Sequence, residues 1–340
     1  MRSENIGYLS DIERSLILTK KSKAQIVQVT EKSYDQRLDN FLIRELKGIP
    51  RTRIYRIIRR GEVRVNKKRA KPETRLGRGD MVRVPPLLLL DSHTLPQPSA
   101  GLIKVIERSI LHEDDDILVL NKPAGLPVHL GTGISLGLIE AVRQIKPRWR
   151  DAELAHRLDR DTSGVLIVCK NAQSQRYIQG QFKGKCVEKR YHLLVNGQWP
   201  NAVTEVKVAL KRVLAASGER LVRVDTDGKP SSTHFKIIER FKSTTLLEAY
   251  PITGRTHQIR VHCQHAGYPI LGDPKYGANT QGESIKDGPD VSAKYLCLHA
   301  AEIRFRLPHT DTSLKVSAPW GKSFAAQVSN LRKNSPLSDS

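Results

Sequence analysis

A strongly basic segment and the proline-rich stretch behind it divide this 340-residue chain into two parts. Residues 36–85 contain 16 Lys and Arg against 5 Asp and Glu, a net charge of +11, which is half of the +22 carried by the whole chain. Residues 85–98 follow with four prolines and little periodicity, as a linker does. Since one core rarely organises 340 residues, we predict a basic module at 34–86, a linker at 87–105 and a larger domain at 106–330.

Composition narrows the class of protein. With 39% hydrophobic and 27% charged residues the chain resembles a soluble globular protein, and no apolar run is long enough to cross a bilayer. Residues 1–33 predict a mobile polar tail rather than a secretory signal, and residues 331–340 a frayed end. We therefore expect a cytoplasmic monomer with no membrane partner. The cysteines lack paired short spacing, which favours reduced thiols at Cys169, Cys186, Cys263 and Cys297.

Hydrophobic spacing in the basic segment predicts two short helices followed by two strands. Apolar residues recur at helical intervals in 38–46 and 54–58, and Gly48 and Pro50 separate the two runs. Residues 62–65 and 81–84 alternate between apolar and polar side chains, as strands do.

The second predicted helix carries a basic face. It is formed by Arg53, Arg56, Arg59 and Arg60, and the following turn adds Lys67 and Lys68. Acidic partners at i+4 are missing along this helix, so the charges are not neutralised within it. Such a face favours binding to the phosphates of a nucleic acid, although many runs of charge are simply solvated surface.

The larger part predicts an α+β domain. Apolar or alternating segments indicate strands at 117–120, 164–168, 191–195, 235–238 and 245–250. Amphipathic segments indicate helices at 136–145 and 172–182.

The densest group of reactive side chains in that domain is residues 156–164, His-Arg-Leu-Asp-Arg-Asp-Thr-Ser-Gly, directly before an apolar strand. Asp159 stands between Arg157 and Arg160, which favours an ionised carboxylate able to act as a nucleophile or base. Asp, Thr, Ser and Gly are also turn-forming residues. The residues alone therefore favour a structural turn over a catalytic loop, and their spacing does not settle the choice.

Motifs in both parts of the chain resemble known families. In the larger part, Asn121-Lys-Pro-Ala-Gly125 with Val128-His129, the 156–164 motif, and Thr253-Gly-Arg-Thr-His-Gln-Ile-Arg-Val-His262 resemble the RluA family of RNA pseudouridine synthases. Residues 36–85, through Gln36-Arg-Leu-Asp-Asn-Phe-Leu42, 57–66 and 78–84, resemble an S4 RNA-binding domain. The resemblance implies a small N-terminal S4 module of the αL type and a larger synthase domain with a central mixed, mainly antiparallel sheet.

The resemblance also implies an activity, the isomerisation of uridine to pseudouridine at specific RNA sites. The S4-bearing arrangement is most similar to members that act on several sites of 23S, large-subunit, ribosomal RNA. The expected partners are therefore 23S rRNA or large-subunit assembly intermediates. Because the reaction exchanges an N-glycosidic bond for a C-glycosidic bond without a change of redox state, we expect no cofactor and no metal.

Four residues take roles from the family's motifs. Asp159 matches the catalytic aspartate, Tyr191 the tyrosine that stacks on the target base, and Arg255 the basic residue that pairs with the aspartate. Arg157 matches the arginine that enters the RNA helix when the target nucleotide flips out. We expect a hydrogen-bonded scaffold role for the histidines, His156, His257, His262 and His299.

Three other functions remain compatible with the sequence. The chain could be a catalytically idle RNA-binding or ribosome-assembly protein that keeps the fold, or a synthase acting on another RNA. Hydrolysis of a glycosidic bond would need a second carboxylate at a defined separation, and Asp161 beside the Thr-Ser-Gly turn is a poor candidate.

Overall fold

A computed structural model describes residues 20–21, 24–46, 49, 51–86, 88–89, 96–129, 136–215, 219–277, 293 and 295–334. The chain divides into two compact units, Met1–Pro96 and Gln97–Ser340. The division therefore falls within the stretch predicted as a linker.

The smaller unit combines two helices with short antiparallel strands. In chain order its elements are β1 (Lys20–Lys21), β2 (Gln25–Gln28), α1 (Leu38–Glu45), α2 (Arg51–Arg59), β3 (Arg64–Val65), β4 (Lys68–Arg69), β5 (Met81–Val84) and β6 (Leu88–Leu89). Four of these strands form a sheet in the order β2-β5-β3-β4, and β1 pairs with β6 separately. The S4-like arrangement of helices and strands is confirmed.

The two apolar runs of the smaller unit become its core. Each helix buries one stripe of side chains, and the buried residues are Leu38, Phe41, Leu42, Leu46, Ile54, Ile57 and Ile58. Asp39 is buried beside them and is bound by Arg37 at 2.7 Å and by the Tyr55 hydroxyl at 3.0 Å. The hydrogen bond from Arg37 holds the pKa of Asp39 below its ordinary value. A buried acid is thus neutralised inside the helix pair.

The prediction of a mobile tail at 1–33 is wrong for the segment that contains strand β2. Strand β2 pairs along its whole length with β5, and the Val29 amide donates to the Asp80 carbonyl at 2.8 Å. The segment Gln-Ile-Val-Gln is too short and polar to show a pattern, and backbone hydrogen bonds to β5 decide its structure. Residues 1–19 and 22–23 of that prediction lie outside the described residues.

Two other boundaries also move. A helix begins at Ala100, inside the predicted linker 87–105, where the Ser99 hydroxyl caps it by accepting from the Leu102 amide. Residues 87 and 90–95 lie outside the described residues, as do residues 335–340 of the predicted frayed end. The last helix continues through Asn334, so the start of that predicted end is helical.

The larger unit contains the main sheet. Its elements are α3 (Ala100–Arg108), β7 (Ile110–Glu113), β8 (Ile117–Lys122), α4 (Leu138–Ile145), β9 (Glu153–Leu154), β10 (Ser163–Cys169), α5 (Ala172–Lys183), β11 (Glu188–Asn196), β12 (Glu205–Leu214), β13 (Arg220–Val224), β14 (Lys229–Arg240), β15 (Thr244–Pro251), α6 (Gln258–His265), β16 (Leu298–Arg306), β17 (Ser313–Ser317) and α7 (Lys322–Asn334). Every strand and helix predicted in this part is confirmed.

The sheet is mixed and mainly antiparallel, as predicted. Its strands follow the order β13-β12-β14-β15-β11-β16-β10-β8-β7, with β17 beside β16 and β9 beside β10. Among the described strands, only β10 and β16 pair in parallel. Strand β10 lies between β8 and β16 and is buried from Gly164 onward, which explains its continuous apolar run.

Gly164 permits the parallel pairing at the start of β10. Its φ is +108°, and a Cβ built there would lie 2.2 Å from the Ala300 carbonyl oxygen on β16. A side chain at this position would separate the two strands. The loop of residues 155–162 therefore enters the sheet at a fixed point.

No helix within the described ranges is both long and apolar enough to cross a membrane.

Candidate active site

The loop between β9 and β10 opens on a cavity of about 630 Å³. The walls come from that loop, from strand β11, and from the segment 251–260 that leads into α6. A cavity of this size is typical of a small-molecule or nucleotide site. Asp159 is the one acidic residue among the described residues that line it.

The two carboxylate oxygens of Asp159 have different surroundings. Oδ2 accepts a hydrogen bond from Arg260 Nη1 at 3.1 Å and lies 3.7 Å from His257 Nε2. Oδ1 has no hydrogen-bond partner among the residues that the structure describes. The side chain is 27% exposed. One oxygen is therefore anchored, and the other is left available to a ligand.

Arg260 connects Asp159 to a second, buried carboxylate. Its Nε and Nη2 donate to Asp273 at 2.8 and 2.7 Å, and its guanidinium lies 5.0 Å from the centre of the Tyr276 ring. Burial lowers the pKa of Arg260, but the hydrogen bonds and charges of Asp273 and Asp159 outweigh that effect and raise it above its ordinary value. The guanidinium is fixed by Asp273 before any substrate arrives.

His257 caps α6 in a strained backbone conformation. Its φ is 52° and its ψ is 20°, which is the left-handed region that a non-glycine residue adopts only when its surroundings hold it there. The Tyr276 hydroxyl lies 2.7 Å from its Nδ1, and the same hydroxyl accepts from the Val222 amide at 3.0 Å. Burial lowers the pKa of His257, so a neutral ring faces Asp159.

Lys122 fixes one side of the Asp159 loop. Its side chain is fully buried, and Nζ donates to the carbonyls of Pro123, Leu126 and Arg160 at 2.9, 3.0 and 2.8 Å. The Gly125 amide also donates to the Arg160 carbonyl, at 2.9 Å. The Asn-Lys-Pro-Ala-Gly motif therefore holds the backbone next to Asp159.

His299 fixes the other end of the loop. The ring is fully buried, its Nε2 donates to the Ala318 carbonyl at 3.1 Å, and its Nδ1 accepts from the Ser163 hydroxyl at 2.8 Å. Burial lowers the pKa of His299 to about 4. A neutral His299 is therefore the form that holds Ser163.

Tyr191 lies on β11 and forms part of the cavity wall. Its hydroxyl has no hydrogen-bond partner within the described part of the chain, although the side chain is half-buried. Burial, and then the charge of Asp159, raise the pKa of Tyr191. The side chain therefore offers a phenol rather than a phenolate to whatever enters.

Positive charge dominates the cavity lining. Besides Arg260, the cationic residues along it are Arg157, Lys183, Lys185, Lys189, Arg212 and Arg255. A concave site with a single carboxylate and this many cations attracts a polyanion.

Comparison with known proteins assigns the family. Residues 116–265 match the RNA pseudouridylate synthase family, and residues 36–82 match the S4 domain. The chain is 47% identical over 315 residues to ribosomal large subunit pseudouridine synthase C of Vibrio vulnificus, covering 92% of this chain and 98% of that protein. The chain belongs to the RNA pseudouridylate synthase family. It is an RNA pseudouridine synthase.

Further relatives agree with this assignment. Ribosomal large subunit pseudouridine synthase C of Escherichia coli is 44% identical over 315 residues, which cover 92% of this chain and 98% of that one. A solved structure of human RNA pseudouridylate synthase domain containing 4 has a TM-score of 0.57 and 26% identity, and covers 68% of this chain and 96% of the human one. The resemblances inferred from the sequence motifs are confirmed.

One predicted contact of this synthase is wrong. The ion pair on Asp159 comes from Arg260, whereas Arg255 is exposed on the cavity lining and its Nε donates to the Pro230 carbonyl at 3.3 Å. Gln258 explains the difference, because its Oε1 accepts from the Arg255 amide at 2.9 Å and fixes the chain just before α6. Arg255 therefore precedes the helix, and Arg260 falls on its buried face.

Sequence reasoning missed several residues of the site. Arg260 stood inside a recognised motif but was given no role, and His257 was expected only as scaffold. Asp273 lay outside every motif, and only its spatial position beside Arg260 identifies it. Lys189 precedes the predicted tyrosine by two residues on one strand, and that spacing was a usable signal for a shared face.

The predicted RNA contacts of the smaller unit lie mostly on its surface. Arg53 is half-buried, and its Nε has no partner among the residues described. The other predicted contacts are exposed: Arg56, Arg59, Arg60, Lys67 and Lys68. Asn66 and Lys67 both have positive φ, so the β3–β4 turn projects from the sheet with Lys68 just behind it.

Replacing Lys122 by methionine should destabilise the larger unit by about 2–4 kcal/mol, because three backbone carbonyls lose the fully buried donor that they share. All three tryptophans, Trp149, Trp199 and Trp320, lie in this unit, so urea unfolding followed by tryptophan fluorescence reports on it alone. The exposed Lys236→Met is the matched control and should change the free energy of unfolding by less than about 0.5 kcal/mol. Equal stability of the two variants would contradict the role of Lys122.

His299 should make the stability of this unit fall with acid. Its folded pKa of about 4 lies below the ordinary 6.5, so the unfolded chain binds the proton first. The contribution of His299 is complete above pH 6.5 and is lost as the pH falls towards 4, by at most about 1.4 kcal/mol per pH unit. In His299→Gln, the free energy of unfolding should fall less steeply over this range in the same fluorescence assay. If the free energy of unfolding depends on pH in the same way in the wild type and in His299→Gln, this role of His299 is refuted.

Proposed function

We propose that Asp159 is the carboxylate with which this synthase isomerises uridine to pseudouridine in 23S ribosomal RNA. The observation that carries the proposal is the difference between the hydrogen-bond partners of the two Asp159 carboxylate oxygens. Oδ2 is bound by Arg260, and Oδ1 has no partner among the described residues although it belongs to the one acid lining the cavity. A fixed carboxylate with one free oxygen is suited to nucleophilic or basic attack on a bound nucleotide.

The chemistry needs little else from the protein. The bond between N1 of uracil and C1′ of ribose breaks, the base turns, and C5 bonds to C1′. C5 then gives up its proton and N1 gains one, so the product is an isomer of the substrate. The free Oδ1 can bond to either C1′ or C6, and this bond breaks again as the product forms, which restores the carboxylate. The cavity must hold the detached base during its rotation. Arg260 keeps the carboxylate in position through both bond changes, since it remains bound to Asp273.

Tyr191 is proposed to stack on the uracil ring. It lines the same cavity as Asp159, and the charge of Asp159 adds to burial in raising its pKa. The raised pKa disfavours a phenolate, so Tyr191 serves as a stacking surface and hydrogen-bond donor rather than as a base.

Two exposed arginines of the cavity lining, Arg157 and Arg255, are proposed to contact the RNA. Arg157 lies two residues before Asp159, is exposed, and has no ion-pair partner among the described residues. A planar cation can occupy the space that the flipped base leaves in a helix. Arg255, on the same cavity lining, would bind the RNA rather than the carboxylate.

Large-subunit rRNA is the proposed substrate because of the relatives and the S4 unit. Proteins that share 44–47% identity with nearly the whole chain are named for the large ribosomal subunit. The exposed cations of the smaller unit supply the charge that an rRNA surface requires. We further propose that several uridines are modified, that assembly intermediates are natural substrates, and that the protein acts as a monomer in the cytoplasm.

Other candidate functions find less support. Hydrolysis by a carboxylate pair needs a second acid in the cavity, and Asp273 is fully buried against Arg260. An idle RNA-binding protein would not require Asp159 to be held by a preset arginine beside an aromatic wall.

Asp159→Asn should abolish isomerisation while leaving RNA affinity within about threefold, because the amide is isosteric but not anionic. Asp161→Asn is the matched control, since Asp161 lies two residues away and its recorded partner is the exposed Arg160. Pseudouridine is measured by carbodiimide labelling and primer extension on 23S rRNA. Appreciable turnover by Asp159→Asn, or equal loss in Asp161→Asn, would remove Asp159 from the chemical step. Failure of the wild type to modify this RNA would instead reject the substrate.

Replacing both Arg56 and Arg59 by alanine should weaken binding to 23S rRNA fragments. Two lost phosphate contacts should reduce the slope of log affinity against log salt by about 1.4–1.8. The single-turnover rate at saturating enzyme should stay the same, because the reacting cavity lies in the other unit. The control exchanges two exposed cations of α3, Lys104→Ala with Arg108→Ala. An unchanged slope in the Arg56/Arg59 variant would place the RNA contacts elsewhere.

A further inference from the structure

Lys189 is a half-buried cation that the carboxylate chemistry leaves unused. It lines the same cavity as Asp159, and its ammonium makes no hydrogen bond or ion pair with any described residue. Burial lowers the pKa of Lys189 below its ordinary value. An unpaired ammonium at such a position is costly unless a ligand supplies the opposite charge.

The protein itself offers Lys189 no such charge. Asp159 is the one acid among the described lining residues, and its anchored oxygen is bound to Arg260. The charged residues that line the cavity on the segment from α5 into β11 are cations, Lys183 and Lys185. Glu188, the residue before Lys189, lies outside this lining and pairs with Arg304. The missing anion must therefore arrive with the substrate.

The position of Lys189 relative to Tyr191 indicates which anion of the substrate Lys189 contacts. The two residues are separated by one position on β11, which places their Cα atoms about 6.5–7 Å apart. Both side chains line the same cavity, although the pairing of β11 with β16 shifts between Arg190 and Tyr191. The Lys189 ammonium also lies close enough to His156 that its charge adds to burial in lowering the pKa of that histidine to about 3. Lys189 is thus on the side of Tyr191 towards the Lys183–Lys185 segment.

We propose that Lys189 binds the 5′-phosphate of the nucleotide whose base stacks on Tyr191. In a nucleotide the base and the 5′-carbon lie on the same face of the ribose, and the sugar separates the ring from that phosphate by a distance close to this strand spacing. The neutral uracil ring offers only weak acceptors, whereas the phosphate carries a full charge. This proposal rests on the proposed function, and it assigns a substrate contact that the carboxylate chemistry does not require.

The experiment is a double-mutant cycle in which one change removes the Lys189 ammonium and the other removes the charge of a phosphate in the RNA. A short 23S rRNA fragment, with its uridine first mapped by wild-type modification, is synthesised with a neutral methylphosphonate on the 5′ or the 3′ side of that uridine. Single-turnover assays give the enzyme concentration at half-maximal rate and the saturating rate. The variants are Lys189→Met, Lys189→Arg and the exposed control Lys236→Met on β14.

We expect Lys189→Met to raise the half-maximal concentration about 10- to 100-fold and to change the saturating rate less than threefold. The salt slope of binding should decrease by about 0.7, which corresponds to one contact with a single strand. The 5′-methylphosphonate should weaken the wild type, Lys189→Arg and Lys236→Met by a similar factor, but Lys189→Met by less than threefold. The 3′-methylphosphonate should weaken all four proteins equally.

Equal losses from the 5′-methylphosphonate in the wild type and Lys189→Met would overturn the proposal, as would coupling to the 3′-phosphate instead. Misfolding is separated from lost contact by thermal unfolding, in which Lys189→Met should be no less stable than the wild type because it removes an unpaired half-buried charge. If Lys189→Met does not fold, Lys189→Gln replaces it in the same experiment, and the 5′-methylphosphonate should again weaken that variant by less than threefold. A wild type that modifies no uridine rejects the proposed function, whereas an active wild type without coupling rejects only this contact.

Discussion

The ion pair between Arg260 and Asp159 is the interaction on which the organisation of the site depends. A carboxylate in a half-enclosed cavity must be held by a cation, yet the same cation would block both oxygens if it were free to move. Asp273 prevents this by binding two nitrogens of Arg260 and leaving one for Asp159. The buried carboxylate fixes the arginine, and the arginine fixes one oxygen of Asp159.

The same requirement accounts for the way the Asp159 loop is anchored. An ion pair at 3.1 Å is useful only if the loop cannot drift, and the loop has no regular secondary structure of its own. Lys122 holds its middle from β8, and His299 holds its end from β16, the two strands on either side of β10. Three neighbouring strands thus converge on one short segment, and the cost of burying a lysine and a histidine is offset by complete hydrogen bonding.

Recognition of motifs singled out Asp159, Tyr191 and Arg157, which all line the cavity. It assigned the ion pair on Asp159 to the wrong arginine. Arg255 and Arg260 stand in the same ten-residue motif, and either could face a carboxylate when only the order of residues is known. The turn that Gln258 closes and the burial of α6 decide between them. The strand Gln25–Gln28 was missed for a related reason, because a short polar edge strand is defined by its partner rather than by its own residues.

The sequence by itself determined the two-part organisation, the S4-like module and the periodic elements of both units, and it singled out Asp159 as the candidate catalytic residue. These features are local, since spacing, charge and contiguous motifs express them within a few residues. Only the tertiary structure decided which distant groups meet Asp159, Lys122 and His299. Their partners lie 101, 38 and 136 residues away along the chain, and the strand order of the sheet brings them together. Contacts between residues so far apart depend on topology, which no local pattern encodes.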